Sequence, residues 1–353
     1  MQMTGNVWGG QNVAPAEVEV ALRDLLKERH ARSEAYVPAR VLNLVVIADG
    51  EWRGEIQNRL DHVGRYHASR TILCCVEAGR QSIDARATIE GECASKPTDI
   101  SVLHEQAVLD IGPRHLRHLE TIVDPLVVTD LPTLVWSPHG HPEAVDALLA
   151  IAQVVLIDSV NEPDPAAAIA RARELIQRAY VVDLAWLRST PWRERVASTF
   201  DPVQWREELR LISSVTVKHR VDSRSAGLLF LGWLATRLGW QPASMPPQDG
   251  ALCGVARGHR QDVALRLEPV KDMSAPGLAG IAIETASGMS ISRDRGAGGL
   301  AARRRMPDGR DSAWTVMGVS RGEPGILGEG IRQALLRDKV YAPALSAAES
   351  FVC

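Results

Sequence analysis

The residues best placed to do chemistry sit in short clusters beside apolar runs. Ser137-Pro138-His139-Gly140-His141 follows the run Leu134–Trp136. Two imidazoles one residue apart on an extended backbone could share a metal, but catalytic zinc needs three protein ligands and the local residues do not complete that set. A polar loop leading into a helix at Glu143 accounts for the segment as well. Asp158-Ser159 closes the run Val154–Ile157. A carboxylate at a strand end could act as a base, hold a ribose hydroxyl, or satisfy the amides of a turn.

A third cluster is Arg293-Asp294-Arg295-Gly296-Ala297-Gly298-Gly299, followed by Arg303, Arg304 and Arg305. Glycine lets backbone amides approach an anion, and arginine grips phosphate with two parallel bonds. Arg293, Arg295, Gly296 and Gly298 therefore form a possible anion site for a sugar phosphate or nucleotide. Arg303 and Arg305 suit a protein contact surface. A turn between strands with a solvated basic face would carry the same residues. The signatures GxGxxG after a strand, GxxxxGK[ST], GxSxG and HExxH are all missing. The expectation is a chain with no catalytic residues, no cofactor and no metal.

Nine tryptophans against three phenylalanines is an unusual ratio, and five of the nine fall between residues 186 and 240. Trp and Arg are the residues most enriched at interface hot spots. Trp186, Arg188, Trp192 and Arg193 are thus candidates for binding a partner, or for sealing a joint between domains. Trp233 and Trp240 sit in an apolar helix and suit packing.

Five cysteines, Cys74, Cys75, Cys93, Cys253 and Cys353, are too few and too oddly numbered for a disulfide framework. Cys74 and Cys75 lie in the apolar run ThrIleLeuCysCysVal and suit a buried strand; a redox switch is the sharper alternative.

A net charge of -3 and a pI near 6.4 give no reason to expect nucleic acid or an anionic membrane. No apolar run approaches the roughly 20 residues of a membrane helix. The first residues carry no basic cluster before an apolar core, so a secretory signal is not expected and a cytoplasmic location is. The chain's own oligomeric state is left open by its sequence.

The 353 residues are long for one core and suit two. In the first part, buried-strand runs (Val41–Ala48, Thr71–Val76, Leu134–Trp136, Val154–Ile157) alternate with helical spacing (Val18–His30, Trp52–Tyr66, Glu143–Ile151, Asp164–Tyr180). That alternation implies a mainly parallel, doubly wound α/β sheet. Ser82–Glu92 and Ile100–Ile111 alternate with period two and suit an antiparallel insertion. After a connecting segment at about 183–205 come a strand at Leu209–Lys218, an apolar helix at Ser223–Leu238 and several short strands. These strands are Ala251–Arg257, Asp262–Glu268, Gly280–Thr285, Ser290–Arg293 and Ala313–Val319, with a closing helix at Gly325–Arg337. An α+β domain with an antiparallel sheet follows, giving domains of 1–190 and 191–353.

Three segments resemble the OpcA family of glucose-6-phosphate dehydrogenase assembly proteins. Asp130-Leu131-Pro132 with Trp136 is similar to its DLPxxxW strand, and Gly232-Trp233-Leu234-Ala235-x-Arg237-Leu238-Gly239-Trp240 to its GWLAxRLGW helix. Most specific is Asp183-Leu184-Ala185-Trp186-x-Arg188-x-x-Pro191-Trp192-Arg193, which resembles the central DLAWxRxxPWR signature. The resemblance runs from about residue 38 to 340. It implies a non-catalytic partner that promotes the active oligomer of glucose-6-phosphate dehydrogenase and raises its response to substrate. In cyanobacterial members activation is tied to thiol redox state, but the cysteines here match no redox motif. The contact surface expected on this basis combines Trp186–Arg193 with Arg303 and Arg305.

Overall fold

The computed structural model describes residues 2–4, 7–32, 36–37, 40–64, 68–91, 101–296, 298–317 and 322–352. Cys93, Ala297 and Cys353 lie outside them. The chain divides into two compact units. The first comprises Met1–Ile157, Arg178–Val182 and Leu327–Leu336; the second comprises Asp158–Gln177, Asp183–Ile326 and Arg337–Cys353.

The first sheet contains β1 (Gln2–Thr4), β2 (Val7–Gly10), β3 (Tyr36–Val37), β4 (Leu42–Asp49), β5 (Ser69–Val76), β6 (Asp84–Gly91), β7 (Ser101–Ile111), β8 (Thr133–Trp136), β9 (Val154–Ile157) and β10 (Tyr180–Asp183). Its order is β1-β2-β6-β7-β5-β4-β8-β9-β10, with β3 beside β7. The run β7-β5-β4-β8-β9 is parallel throughout. β2 and β7 both pair antiparallel with β6, the Ser82–Glu92 segment. The second alternating segment, β7, is antiparallel only on its β6 side and parallel to β5 on the other.

The helices of this unit include α1 (Pro15–Arg32), α2 (Arg53–Gly64), α3 (Leu119–Val123) and α4 (Pro142–Leu148). β4 is buried from Leu42 to Ala48, as its nearly continuous apolar run requires of a strand covered on both faces. One polar residue breaks that run for a reason. Asn43 donates to the Val128 carbonyl at 3.0 Å and accepts from the Val128 amide at 2.9 Å. Its own amide donates to the Pro132 carbonyl at 2.9 Å. The Asp130-Leu131-Pro132 segment is thus pinned just ahead of β8.

The second sheet contains β11 (Ile212–Arg220), β12 (Pro247–Gln248), β13 (Ala251–Arg257), β14 (Asp262–Val270), β15 (Leu278–Thr285), β16 (Ser290–Gly296), β17 (Gly299–Arg305) and β18 (Asp311–Met317). The order is β12-β13-β14-β11-β15-β16-β17-β18. All pairs are antiparallel except β11 with β14.

Helices of the second unit are α5 (Pro165–Ile176), α6 (Leu184–Arg188), α7 (Thr190–Phe200), α8 (Arg224–Leu238) and α10 (Tyr341–Val352), with α9 (Gly322–Leu336) between the last two in sequence. α8 is buried continuously from Ser225 to Ala235, as befits a helix that is apolar all round. It packs on β11, β14 and α10. Gly232 makes the helix pair possible, since a β-carbon there would stand 2.2 Å from the Ala344 carbonyl oxygen.

Several boundaries differ from the sequence expectation. The stretch before β11 is a 3-10 helix, Val203–Leu211, so the strand starts three residues later than its apolar pattern suggests. The Asp164 helix stops at Ile176, and Tyr180–Asp183 forms β10. α10 occupies a segment for which the apolar pattern gave no element, although Ala344, Leu345, Ala348 and Phe351 fall at helical spacing and are all buried.

Candidate functional site

The central signature is built around one buried carboxylate. Asp183, 1% exposed, caps α6 by accepting from the Ala185 amide at 2.9 Å. The same side chain accepts from the Ser159 amide at 3.1 Å and from the Tyr341 hydroxyl at 3.1 Å. Burial, reinforced by the charge of Asp158, pushes its pKa up to about 6. Three residues on, the Trp186 indole donates to Asp338 at 2.7 Å and its ring lies beside Tyr341.

Arg188 forks onto Asp158 with two bonds of 2.8 and 2.7 Å, and onto Glu323 with bonds of 3.0 and 2.6 Å. Burial works against the guanidinium charge, yet the two carboxylates hold its pKa above the ordinary value. Pro191 lies in the first turn of α7, where its missing N–H costs nothing. Arg193 lies 3.5 Å over the Trp186 ring and donates to the Trp186 carbonyl and the Thr190 hydroxyl. Burial brings its pKa down to about 10, so it stays charged at neutral pH. Trp192 is 1% exposed.

The signature is therefore an internal brace. Trp186 and Trp192 present no ring surface to a partner, and Arg188 and Arg193 are committed to contacts inside the second unit. Asp158, a candidate base by position, is the counter-ion of Arg188.

The glycine-arginine cluster divides. Gly296 pairs with Gly299 to close the β16–β17 hairpin, and Gly298 has φ +96°, a turn conformation that glycine adopts without strain. Arg295 is exposed, with its nearest acceptor the Leu278 carbonyl at 3.3 Å. Arg293 turns inward instead. It is 4% exposed and donates to the Arg195 carbonyl at 2.9 Å and the Thr199 hydroxyl at 2.6 Å. Burial and the neighbouring charges of Arg195 and Arg304 pull its pKa down. Arg304 lies 5.1 Å from the ring centroid of Trp205 and 5.8 Å from that of Trp314.

What does face outward is the free end of this sheet. Arg303 and Arg305 are exposed, and Arg303 forks onto Asp311. β18 ends the strand order and is exposed along nearly its whole length, including Trp314 and Met317. Trp205 and Trp314 escaped the sequence reading because nothing local marks a ring that will meet Arg304 across strands.

In the first unit, His141 approaches Asp49 at 2.9 Å and His139 stacks on Trp52 with centroids 5.1 Å apart. Burial lowers the His139 pKa. Among the described residues no group of three or more His, Cys, Asp or Glu is arranged to hold a metal ion. Cys74 and Cys75 are fully buried on β5, and burial raises both thiols, so neither is poised to react. Cys253 is half-buried, with its sulfur 3.3 Å from an Arg266 guanidinium nitrogen. No described helix is long and apolar enough to cross a membrane.

Comparison with known proteins places the sequence in one family along most of its length. Residues 60–174 match the glucose-6-phosphate dehydrogenase subunit N-terminal domain, and residues 179–345 match the C-terminal domain of the same subunit. A protein of Synechococcus elongatus that carries the name OxPP cycle protein OpcA is 28% identical over 182 residues, 50% of this chain and 41% of that one. Its Nostoc punctiforme namesake is 33% identical over 139 residues, 38% of this chain and 30% of that one. The matched stretches thus span less than half the length of these relatives. Among solved structures, yvaA of Bacillus subtilis, assigned by name to the oxidoreductases, aligns with a TM-score of 0.50 at 10% identity. That alignment covers 88% of this chain and 95% of yvaA and speaks to fold alone. The chain belongs to the OpcA family of glucose-6-phosphate dehydrogenase subunit proteins.

Proposed function

We propose that this chain is a non-catalytic subunit that binds glucose-6-phosphate dehydrogenase and shifts it toward its active oligomer. The family match over both halves of the chain carries this reading. The chemistry at the strand ends supports it. In an open parallel sheet a dinucleotide sits at the carboxyl ends of the strands, with its pyrophosphate on a glycine-rich turn. The turn after β4 here reads Asp49-Gly50-Glu51-Trp52. That turn carries two carboxylates and lacks a glycine-rich repeat, and Asp49 is engaged by His141 at 2.9 Å.

Binding alone suffices for activation. A protein that prefers the active conformation shifts the population toward it, and about 1.4 kcal/mol of preference is a tenfold shift. The surface that suits this role is the exposed end of the second sheet, where Arg303, Arg305, Trp314 and β18, which ends the strand order among the described residues, combine charge, an aromatic ring and a sheet edge. Linkage supplies the test: glucose 6-phosphate or NADP, by favouring the active dehydrogenase, tightens the complex by the factor that the chain adds to substrate affinity. A dissociation constant indifferent to both ligands, with activation intact, overturns the mechanism.

A further inference from the structure

A concave pocket of about 660 Å³ lies in the second unit, within the ordinary size range of small-molecule sites. Three elements build it. The 3-10 stretch Val203–Leu211 supplies Arg206 and Arg210, the last turn of α8 supplies Arg237, and the β13–β14 turn supplies His259 and Arg260. Leu209, Ile212, Leu238, Trp240 and Val263 add apolar lining, with Ile212, Trp240 and Val263 buried beneath it.

These elements are tied to one another independently of any ligand. The Gln261 side chain donates to the Leu211 and Ile212 carbonyls at 2.7 and 2.9 Å, fixing the turn to the start of β11. Gln241 and Arg257 exchange two backbone bonds of 2.9 Å, fixing the chain that leaves α8 to β13. Gly239, at φ +67°, lets that chain reverse beside the His259 ring.

The charge is lopsided. Four guanidinium groups line the pocket against one carboxylate, Glu207. Glu207 stands 3.7 Å from Arg210, with both side chains largely exposed. Arg206 bonds only to the Asp201 backbone carbonyl, and among the described residues no carboxylate pairs with Arg206, Arg237 or Arg260. The C-terminal end of α8 contributes about half a negative charge, which a single guanidinium more than offsets. A solvated basic face would spread its arginines over a convex surface. Here four exposed arginines from three segments line one concavity together with apolar side chains.

We infer that this pocket binds a small polyphosphate anion of nucleotide size. A monophosphate carries at most about two negative charges, whereas a di- or triphosphate matches the excess of guanidinium charge. The apolar lining gives a base somewhere to lie.

The full chain is titrated calorimetrically with ATP and with inorganic tripolyphosphate, without magnesium. The same titrations use R237E/R260E, the milder R237Q/R260Q in case charge reversal unfolds the protein, and R303E/R305E as a charge-matched control elsewhere. Saturable binding that weakens on the order of a hundredfold in the pocket variants and survives in the control supports the site. ATP tighter than tripolyphosphate by about tenfold assigns a nucleotide, and equal affinities assign the phosphate chain alone. No saturable binding up to about 1 mM overturns the proposal, as does binding unchanged in folded R237Q/R260Q or lost equally in R303E/R305E.

Discussion

Arg188 and Asp158 face each other through two parallel hydrogen bonds of 2.8 and 2.7 Å, with both side chains 8% exposed. The pair joins the end of α6 to the residue that follows β9, and Glu323 takes the remaining edge of the guanidinium. Removing the cation from a buried pair leaves a charge without compensation, which costs about 3–5 kcal/mol. Arg188→Ala is therefore expected to lower the unfolding free energy obtained from urea melts by that much. Arg188→Lys, which keeps the charge but loses the fork, should fall between. An unfolding free energy for Arg188→Ala within about 1 kcal/mol of the parent would show that the fork does not brace the unit.

Trp192 answers to the same argument. Its ring is 1% exposed, so truncation to Ala leaves a cavity and costs about 3–5 kcal/mol. The expected readout is a lower melting temperature. Unchanged stability together with weaker partner binding would mean that the ring is reachable after all.

Asp183 makes stability depend on pH. Its folded pKa, raised to about 6, lies above its ordinary value of 3.8. Between those values the native state holds a proton that the unfolded chain has released, so stability falls as pH rises through the window. Asp183→Asn keeps an acceptor for the Ser159 and Ala185 amides but cannot titrate. Denaturant melts from pH 4 to 6 should show a downward slope in the parent that is absent from the variant. Parallel curves would refute the assignment.

Gly232→Ala sets two effects against each other. Alanine favours a helix interior over glycine by about 1 kcal/mol. Yet its β-carbon would stand 2.2 Å from the Ala344 carbonyl oxygen, a backbone atom that cannot move without shifting α10. Overpacking of this kind costs about 1–3 kcal/mol, so net destabilisation in a thermal melt is expected. A stabilised variant would mean that α8 and α10 are less closely packed than described.

The parts of the fold legible in sequence were those with strong periodicity. Leu42–Asp49 announced itself because a strand covered on both faces is apolar nearly throughout, here with Asn43 as its one buried polar residue. Ser225–Ala235 did so because a helix enclosed on all sides has no polar stripe. β10 is only four residues long and follows a helix without a strong breaker, so nothing local separates it. The signature was legible as a pattern but not as a structure. Trp and Arg mark interfaces and braced interiors alike, and the partners that decide between them, Glu323 for Arg188 and Asp338 for Trp186, lie 135 and 152 residues away. The arginine pocket was invisible for a related reason, since its basic residues come from three separate segments.

Sedimentation velocity reads whether this chain associates with glucose-6-phosphate dehydrogenase and changes its oligomer, as proposed above. The dehydrogenase from the same source is run alone, then with this chain at about 10 μM, with activity assayed on the same samples. One heavier boundary containing both chains, a redistribution of the dehydrogenase toward that species, and higher activity in it are expected. Two independent boundaries, with dehydrogenase mass and activity unchanged, would contradict the proposal.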